Sequence, residues 1–168
     1  MKHITKISIF DFDGTLIDSP KPEGGIQLWE KVNGCEYPFK TWWDRLESLD
    51  QKVFDIDTIE STIDDYNEEY RDEETLVIML TGRLSKFRNI VKNILYSKGL
   101  IFDEYHYKDI DNTLLSKINK IESLLHKYPN VTEIEMWEDR KHHAKAFEIW
   151  GETNGIPIDV NLVRVGVG

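Results

Sequence analysis

A short apolar segment near the amino terminus ends in two aspartates, and this junction constrains the fold more than any other part of the chain. Residues 7–10 read ISIF, and Asp11 and Asp13 follow directly. Ile7, Ile9 and Phe10 are β-branched or aromatic, and this pattern predicts a strand covered on both faces, as in a parallel sheet. Open α/β sheets bind their ligands in the crevice beyond the carboxyl ends of the strands. The two carboxyl groups are therefore predicted to lie in a ligand site, where a metal ion would offset their mutual repulsion.

Strand and helix patterns alternate along most of the chain, which has 168 residues. We predict strands at residues 6–10, 75–80, 104–108, 133–137 and 159–165, and helices at residues 84–98, 112–127 and 141–153. This alternation indicates βαβ crossovers and an α/β fold, a Rossmann-like, doubly wound, mostly parallel sheet with helices on both faces. The length suits one hydrophobic core, so residues 1–168 are predicted to form a single domain.

The interval between the first two predicted strands is much longer than the other connections. It covers residues 17–74 and contains SPKPEGG at 19–25, which predicts a loop. The acid-rich residues 55–74 predict a solvated helix face. Because long insertions between core elements are commonly functional, we predict a small helical and irregular cap at about 17–74, following the first strand.

The composition argues against several classes of protein. The formal net charge of −10 disfavours a long nucleic-acid footprint. No segment approaches the roughly 20 apolar residues of a membrane span, and the amino terminus lacks the apolar region of a signal peptide. The single cysteine, Cys35, forms no internal disulfide. We therefore expect a cytoplasmic protein with no membrane partner.

Polar residues follow two further predicted strands, and a lysine lies between them. They are Thr81, Gly82 and Arg83 after the second strand, Lys117 on a helix, and Glu138, Asp139 and Arg140 after the fourth strand. Together with the two aspartates they supply carboxylates, a hydroxyl, a glycine turn and a cationic group. This combination suits a metal ion and a phosphate rather than a protease or a dehydrogenase.

The order of these residues resembles the four motifs of the haloacid dehalogenase (HAD) superfamily of phosphotransferases. The first motif, DxDGT, is DFDGT at residues 11–15. Thr81 corresponds to the second motif, and Lys117 to the lysine of the third, with Lys108 as the alternative. The acidic pair of the fourth motif is Glu138–Asp139.

The resemblance implies a hydrolase that forms an aspartyl-phosphate. Asp11 would be the nucleophile, and Asp13 would protonate the leaving oxygen and then activate water. Thr81 and the backbone amide of Gly82 would bind phosphoryl oxygens, while Lys117 would neutralise phosphate and nucleophile.

The resemblance also implies Mg²⁺ as cofactor. Its ligands would be a carboxylate oxygen of Asp11, the backbone carbonyl of Asp13 and the carboxylate of Asp139. Glu138 would touch the metal through water or orient its ligands.

A narrower resemblance covers residues from about 9 to 147, to the HAD-like domain of the multidomain Swiss Army Knife RNA repair proteins. The matching segments are DFDGTLIDSPKP (11–22), Trp29, Trp42–Trp43, LTGR (80–83), GLIFDEYHYK (99–108), Thr113 with Lys117, and WEDRKHHAKAF (137–147). The resemblance implies that the substrate is a phosphate on an RNA or DNA end, or a nucleotide. No kinase or ligase domain is fused to this sequence, so separate repair enzymes are the expected partners.

Five further residues are candidates for substrate binding, each with a structural alternative. Trp42 and Trp43 would stack on a base if exposed, or would form the small core of the insert. Arg83 and Arg140 would contact a second phosphate or a sugar, or would form salt bridges within the acidic site. His143 lies one turn after Asp139 and could point to the site or away from it.

Three functions remain open at this point. The first is a Mg²⁺-dependent phosphomonoester phosphatase that acts on nucleic acid ends carrying a 3′ or 2′ phosphate, in RNA or DNA repair. The second is the same chemistry on nucleotides or other small phosphorylated metabolites, which the net charge favours. The third is a noncatalytic binding domain with a relic site, which predicts damage to a catalytic set that is present here in full. The sequence leaves the oligomeric state open.

Overall fold

The computed structural model describes residues 3–164, and its central element is a five-stranded parallel sheet. The strands are β1 (Lys6–Phe10), β2 (Thr75–Leu84), β3 (Glu104–Lys108), β4 (Glu133–Glu138) and β5 (Ile158–Leu162). Their order across the sheet is β3-β2-β1-β4-β5, and all neighbours pair in parallel. The chain builds outward from β1 in one direction and then in the other, so the order reverses at β1. The predicted Rossmann-like parallel sheet is confirmed, and its switch point lies beside Asp11.

The described residues include five α-helices. They are α1 (Pro22–Asn33), α2 (Glu60–Arg71), α3 (Arg88–Ser97), α4 (Thr113–Lys127) and α5 (Lys141–Thr153). Of these, α2 to α5 cover the two faces of the sheet, and α1 lies in the insert. Alternate residues of β1 face opposite sides, so Ile7 and Ile9 pack with residues of α4 and α5 while Phe10 packs with α2 and α3. No helix within residues 3–164 is long and apolar enough to cross a membrane.

Several predicted boundaries differ from the structure. The strand predicted at 75–80 continues to Leu84, and the helix predicted at 84–98 is a short 3₁₀ helix at Ser85–Phe87 followed by α3. The last strand ends at Leu162, and Val165, its predicted end, lies outside the described residues. The loop predicted at 19–25 is wrong from Pro22 onward, because α1 begins there. Proline suits the first position of a helix, where its missing N–H has no intrahelical acceptor.

The interval of residues 17–74 divides into two parts. Its last helix, α2, packs on the sheet: the ring of Tyr66 lies 6.0 Å from that of Phe10, and the Trp137 indole donates to Asp65. The preceding part contains α1 and a 3₁₀ helix at Leu46–Leu49, and it has its own aromatic cluster. That cluster consists of Trp29, Tyr37, Phe39, Trp42 and Phe54.

Candidate active site

A cavity of about 530 Å³ opens at the carboxyl edge of the sheet, where the strand order reverses. The core contributes Asp11 and Asp13 after β1, Gly82 and Arg83 near the end of β2, and Asp139 and Arg140 after β4. The insert contributes Asp18, Ser19, Lys21, Trp43 and Asp44. The cavity therefore joins the strand ends to the segment predicted to form a cap.

Asp11 and Lys117 form a buried ion pair at the base of this cavity. The backbone N–H of Asp11 donates to the carbonyl of Trp137 and holds the aspartate between β1 and β4. The Lys117 ammonium lies 3.1 Å from Asp11 Oδ1 and 2.9 Å from Glu138 Oε2, and its side chain is 4% exposed. Lys117 lies on α4 one turn after Thr113 and reaches Asp11. Lys108 lines the cavity, and its side chain has no ion pair within residues 3–164.

Burial and neighbouring charges shift the pKa values of Asp11, Asp139 and Lys117. Burial raises the pKa of Asp11 well above its ordinary value; the carboxylate of Glu138 raises it further, and Lys117 opposes both. Burial and the neighbouring Glu138 also raise the pKa of Asp139, to about 6. Burial alone would lower the pKa of Lys117, but the Asp11 and Glu138 carboxylates outweigh it and raise that pKa.

The same carboxylates fit a divalent cation. Asp11, Glu138 and Asp139 each offer an oxygen, and these atoms lie within 4.8 Å of one another. Gly14 leaves space beside Asp139, because a Cβ at this position would lie 2.3 Å from Asp139 Oδ2. Gly14 also has a φ of +72°, which side-chain-bearing residues rarely adopt. Oxygen ligands of this kind suit Mg²⁺, and the residues present fit that ion.

Asp13 is held by a buried arginine rather than by the acidic cluster. Arg83, only 4% exposed, donates from Nε to Asp13 Oδ2 and from Nη2 to Oδ1, both at 2.8 Å. The hydroxyl of Ser19 donates to Asp13 Oδ1 as well. Arg83 Nη1 also donates to the backbone oxygen of Trp43 and to Ser48 Oγ. Arg83 thus forms a salt bridge within the acidic site, which is one of the two alternatives predicted for it from the sequence.

The two residues predicted to bind phosphate occupy different positions. Gly82 lines the cavity, and a Cβ there would lie 2.6 Å from the methyl carbon of Thr113. Thr81 is buried behind the cavity wall, and its hydroxyl accepts the backbone N–H of Arg83. The phosphate-binding role of Thr81 stays a prediction.

The two adjacent tryptophans have different environments. Trp42 is 4% exposed, and its indole N–H donates to the Pro20 carbonyl. A Cβ on Gly25 would lie 2.6 Å from the Trp42 ring, so this tryptophan is locked into the core of the insert. Trp43 is 41% exposed and lines the cavity.

Of the two remaining candidates, only Arg140 reaches the cavity wall. His143 is buried outside it, and its Nδ1 has no hydrogen-bond partner among the described residues. Burial lowers the pKa of His143 to about 4, so the ring is neutral near pH 7.

Several residues of the site were not identified as functional from the sequence. Ser19 and Ser48 support Asp13 and Arg83, and Lys21 and Arg164 line the cavity. Ser19 and Lys21 lie in the segment DFDGTLIDSPKP, so that resemblance was the available signal. No sequence signal pointed to Ser48 or Arg164, because their positions at the site depend on how the insert and β5 are placed in the fold.

Comparisons with known proteins identify relatives of this chain. A family model described as HAD domain family 1 in Swiss Army Knife RNA repair proteins matches residues 27–165. The uncharacterized protein YMR265C of Saccharomyces cerevisiae is 26% identical over 178 residues, covering 92% of this chain and 38% of that protein. The chain thus spans well under half the length of this curated relative.

Two solved structures share the fold. A chain in a structure of the Pnkp1/Rnl/Hen1 complex has a TM-score of 0.61 at 16% identity, covering 98% of this chain and 47% of that one. The HAD domain of the effector protein Lem4 from Legionella pneumophila has a TM-score of 0.59 at 13% identity, covering 100% of this chain and 91% of that one. At these identities the likeness establishes the α/β fold.

Proposed function

The chain belongs to HAD domain family 1 of the Swiss Army Knife RNA repair proteins, and from this premise we propose that it is a Mg²⁺-dependent phosphomonoester phosphatase that works through an aspartyl-phosphate. The observation that carries the proposal is the Asp11–Lys117 pair, 3.1 Å apart at the base of a cavity that also contains Asp13. Phosphoryl transfer to an aspartate needs a carboxylate as nucleophile and a nearby cationic group that offsets the negative charge, and this pair supplies both.

The first half-reaction forms the covalent intermediate. A carboxylate oxygen of Asp11 attacks phosphorus, and the bond from phosphorus to the ester oxygen breaks. Asp13 enters this step as the protonated acid, gives its proton to the ester oxygen, and becomes the carboxylate that Arg83 and Ser19 hold. Asp11, Glu138 and Asp139 would hold Mg²⁺, which supplies positive charge for the phosphoryl oxygens. Lys117 stays protonated, because its pKa is raised, and it offsets the charge on Asp11 and phosphate.

The second half-reaction regenerates the nucleophile. Asp13 takes a proton from water, the resulting hydroxide oxygen bonds to phosphorus, and the bond from phosphorus to Asp11 breaks to release phosphate. Arg83 and Ser19 fix the orientation of the Asp13 carboxylate for both proton transfers.

We further propose that the substrate is a nucleic acid end with a 3′ or 2′ phosphate, in RNA or DNA repair. Family membership supports this choice, and the exposed Trp43 at the cavity wall offers a surface on which a base could stack. Separate repair enzymes would then be the partners. Small phosphorylated metabolites or nucleotides are the second candidate, which the acidic net charge of −10 favours because it repels a long polyanion.

A substrate panel tests both parts of the proposal. Mg²⁺-dependent phosphate release is measured from oligonucleotides ending in 3′, 2′ or 5′ phosphate, from the matching mononucleotides, and from sugar phosphates. Asp11→Asn is the control, since it keeps the shape of the side chain and removes the nucleophile. We expect kcat/KM for one oligonucleotide end to exceed that of its mononucleotide by about tenfold, or about 1.4 kcal/mol of transition-state binding. Higher values for mononucleotides or sugar phosphates would instead identify a metabolite phosphatase.

A further inference from the structure

The charge of the cavity wall is opposite in sign to that of the chain. The whole sequence has 21 Lys and Arg against 31 Asp and Glu, but the cavity is lined by six of the former and five of the latter. Two of the six cations are used within the protein, since Arg83 pairs with Asp13 and Lys117 with Asp11. The other four are Lys21, Lys108, Arg140 and Arg164, and none of them has an ion pair within residues 3–164.

Two of these four cations are neighbours on one flank of the site. Glu138 of β4 pairs with Leu162 of β5, and the Val163 N–H donates to the Glu138 carbonyl. Arg140 and Arg164 each lie two residues beyond this pair, so they leave adjacent strands at the same level. Adjacent strands are about 4.8 Å apart, which brings the two guanidinium groups to one side of the cavity.

The strand order also places this flank relative to the nucleophile. Asp11 follows β1, Arg140 follows the next strand, β4, and Arg164 follows the edge strand, β5. The strands that precede the two arginines are one and two strand spacings from β1, or about 5 and 10 Å, and both arginines line the cavity. Lys108 ends β3 on the opposite flank, two strands away in the other direction.

We propose that Arg140 and Arg164 form a second phosphate subsite, for a substrate whose two phosphate groups are separated by a single sugar. Guanidinium forks match the planar array of phosphate oxygens and bind them through paired hydrogen bonds. The second phosphate could be the internucleotide diester of a nucleic acid strand or the second monoester of a nucleoside bisphosphate. This inference rests on the proposed function, because it takes the first phosphate to lie at Asp11.

Equilibrium binding tests the subsite without requiring turnover. Isothermal titration calorimetry on the Asp11→Asn variant, with Mg²⁺, compares adenosine 3′-monophosphate, adenosine 3′,5′-bisphosphate and the adenosine dinucleotide with a 3′ phosphate. We expect at least one doubly phosphorylated ligand to bind about tenfold more tightly than the monophosphate. A larger gain for the dinucleotide assigns the subsite to a nucleic acid strand, and a larger gain for the bisphosphate assigns it to a small molecule. Equal affinities, or no measurable binding of any ligand, would overturn the proposal.

Two variants that each remove one positive charge from the cavity test whether the second phosphate binds at a local subsite or is attracted by the overall electrostatic field of the cavity. In the Asp11→Asn background, Arg164→Gln should reduce the tenfold discrimination to about twofold, whereas Lys108→Gln, on the opposite flank, should leave most of it. Arg71→Gln, on the exposed end of α2, controls for loss of net charge. Equal losses in the Arg164 and Lys108 variants would attribute the gain to the cavity field and would contradict the subsite.

The two proposals fail in different ways. Phosphate release from adenosine 3′-monophosphate by the unaltered chain reports on the phosphatase alone. If no phosphate is released but the discrimination persists, the phosphatase fails and the subsite stands. If phosphate is released but Arg164→Gln leaves the discrimination intact, the subsite fails and the phosphatase stands.

Discussion

Two largely buried lysines lie at opposite edges of the sheet, each among carboxylates. Lys6 begins β1 at the amino edge and contacts Glu69 at 3.0 Å, Glu135 at 2.8 Å and the exposed Glu133 at 3.8 Å. Lys117 at the carboxyl edge contacts Asp11 at 3.1 Å and Glu138 at 2.9 Å. The side chains are 16% and 4% exposed, respectively, so both charges are largely removed from water.

The two edges differ in how deeply the carboxylates that contact the lysine are buried. At the amino edge, burial would raise the pKa of Glu135, but hydrogen bonds from Lys6 and Asn161 outweigh it and the pKa is lowered. At the carboxyl edge, burial raises the pKa values of Asp11 and Asp139, and the neighbouring Glu138 carboxylate raises both further. The same residue types thus form a hydrogen-bonded structural cluster at one edge and, at the other, a more deeply buried cluster in which Asp11 and Asp139 bind protons more readily. A bound cation would replace those protons and stabilise the carboxylates.

The largest expected effect is the difference between removing a carboxylate at the carboxyl edge, where we expect a loss of activity, and removing one at the amino edge, where we expect only a loss of stability. Asp11→Asn should lower kcat by about 10³-fold or more, because no other group can accept the phosphoryl group. Glu135→Gln, its counterpart at the amino edge, should leave kcat/KM within about twofold and lower only the free energy of unfolding. Steady-state kinetics and urea unfolding on both variants give the comparison. Substantial turnover by Asp11→Asn would rule out the covalent mechanism.

Removing Lys117 should cost more stability than any other single charge deletion at either edge. Lys117→Met leaves Asp11 and Glu138 buried without their partner, which should lower the free energy of unfolding by about 3 kcal/mol. Mg²⁺ should recover part of this loss, since it supplies charge to the same carboxylates. Urea unfolding with and without Mg²⁺ measures both effects. A loss below about 1 kcal/mol would mean that the site tolerates its acids without the lysine.

The matching deletion at the amino edge should have a smaller and purely structural effect. Lys6→Met should lower the free energy of unfolding by about 1 to 2 kcal/mol, because its carboxylate partners are more exposed than those of Lys117. Mg²⁺ should not recover this loss, and kcat/KM should stay within about twofold of the unaltered chain. A Mg²⁺-dependent recovery in Lys6→Met would show that the ion acts elsewhere than at the carboxyl edge.

The smallest effect concerns Asp139, and its sign depends on pH. Because the folded-state pKa of about 6 lies above the ordinary value of 3.8, the metal-free folded state takes up a proton as the pH falls from 7 to 4, and it gains stability. Asp139→Asn lacks this titrating group, so its free energy of unfolding should exceed that of the unaltered chain by about 1 kcal/mol at pH 7. Near pH 4 the two free energies of unfolding should be equal.

Urea unfolding of the metal-free proteins between pH 4 and pH 7 tests the direction in which the free energy of unfolding changes with pH. Asp72→Asn, at the end of α2, is the surface control. With Mg²⁺ present at pH 7 the order should reverse, because the variant has lost a ligand. Parallel pH profiles for Asp139→Asn and the unaltered chain would contradict the raised pKa.

The parts of the structure that the sequence predicts are those fixed by local pattern. The run at residues 7–10 is apolar enough to require burial on both faces, so β1 and the position of Asp11 follow from it. The helical spacing that places Lys117 one turn after Thr113 is likewise local.

The parts that the sequence did not predict depend on contacts between distant segments. The start of α1 at Pro22 was read as a loop because SPKPEGG contains two prolines and two glycines, yet Gly25 is needed for Trp42 to pack against the helix. The burial of Trp42 and the exposure of Trp43 likewise depend on the fold of the insert, since adjacent residues of the same type have no local signal to distinguish them. The bond from Arg83 to Asp13 joins residues 70 positions apart.

Arg83 links the insert that forms the cavity wall to Asp13, the proposed proton-transfer group. Its guanidinium grips Asp13 with two nitrogens and the insert with the third, through the Trp43 carbonyl and the Ser48 hydroxyl. If the insert moved away by more than the length of a hydrogen bond, the buried Arg83 guanidinium would lose these two acceptors. The loss would cost about 1 to 3 kcal/mol in free energy. The same movement would carry Ser19 away from Asp13, so this carboxylate would keep all its hydrogen-bond donors only while the insert covers the cavity.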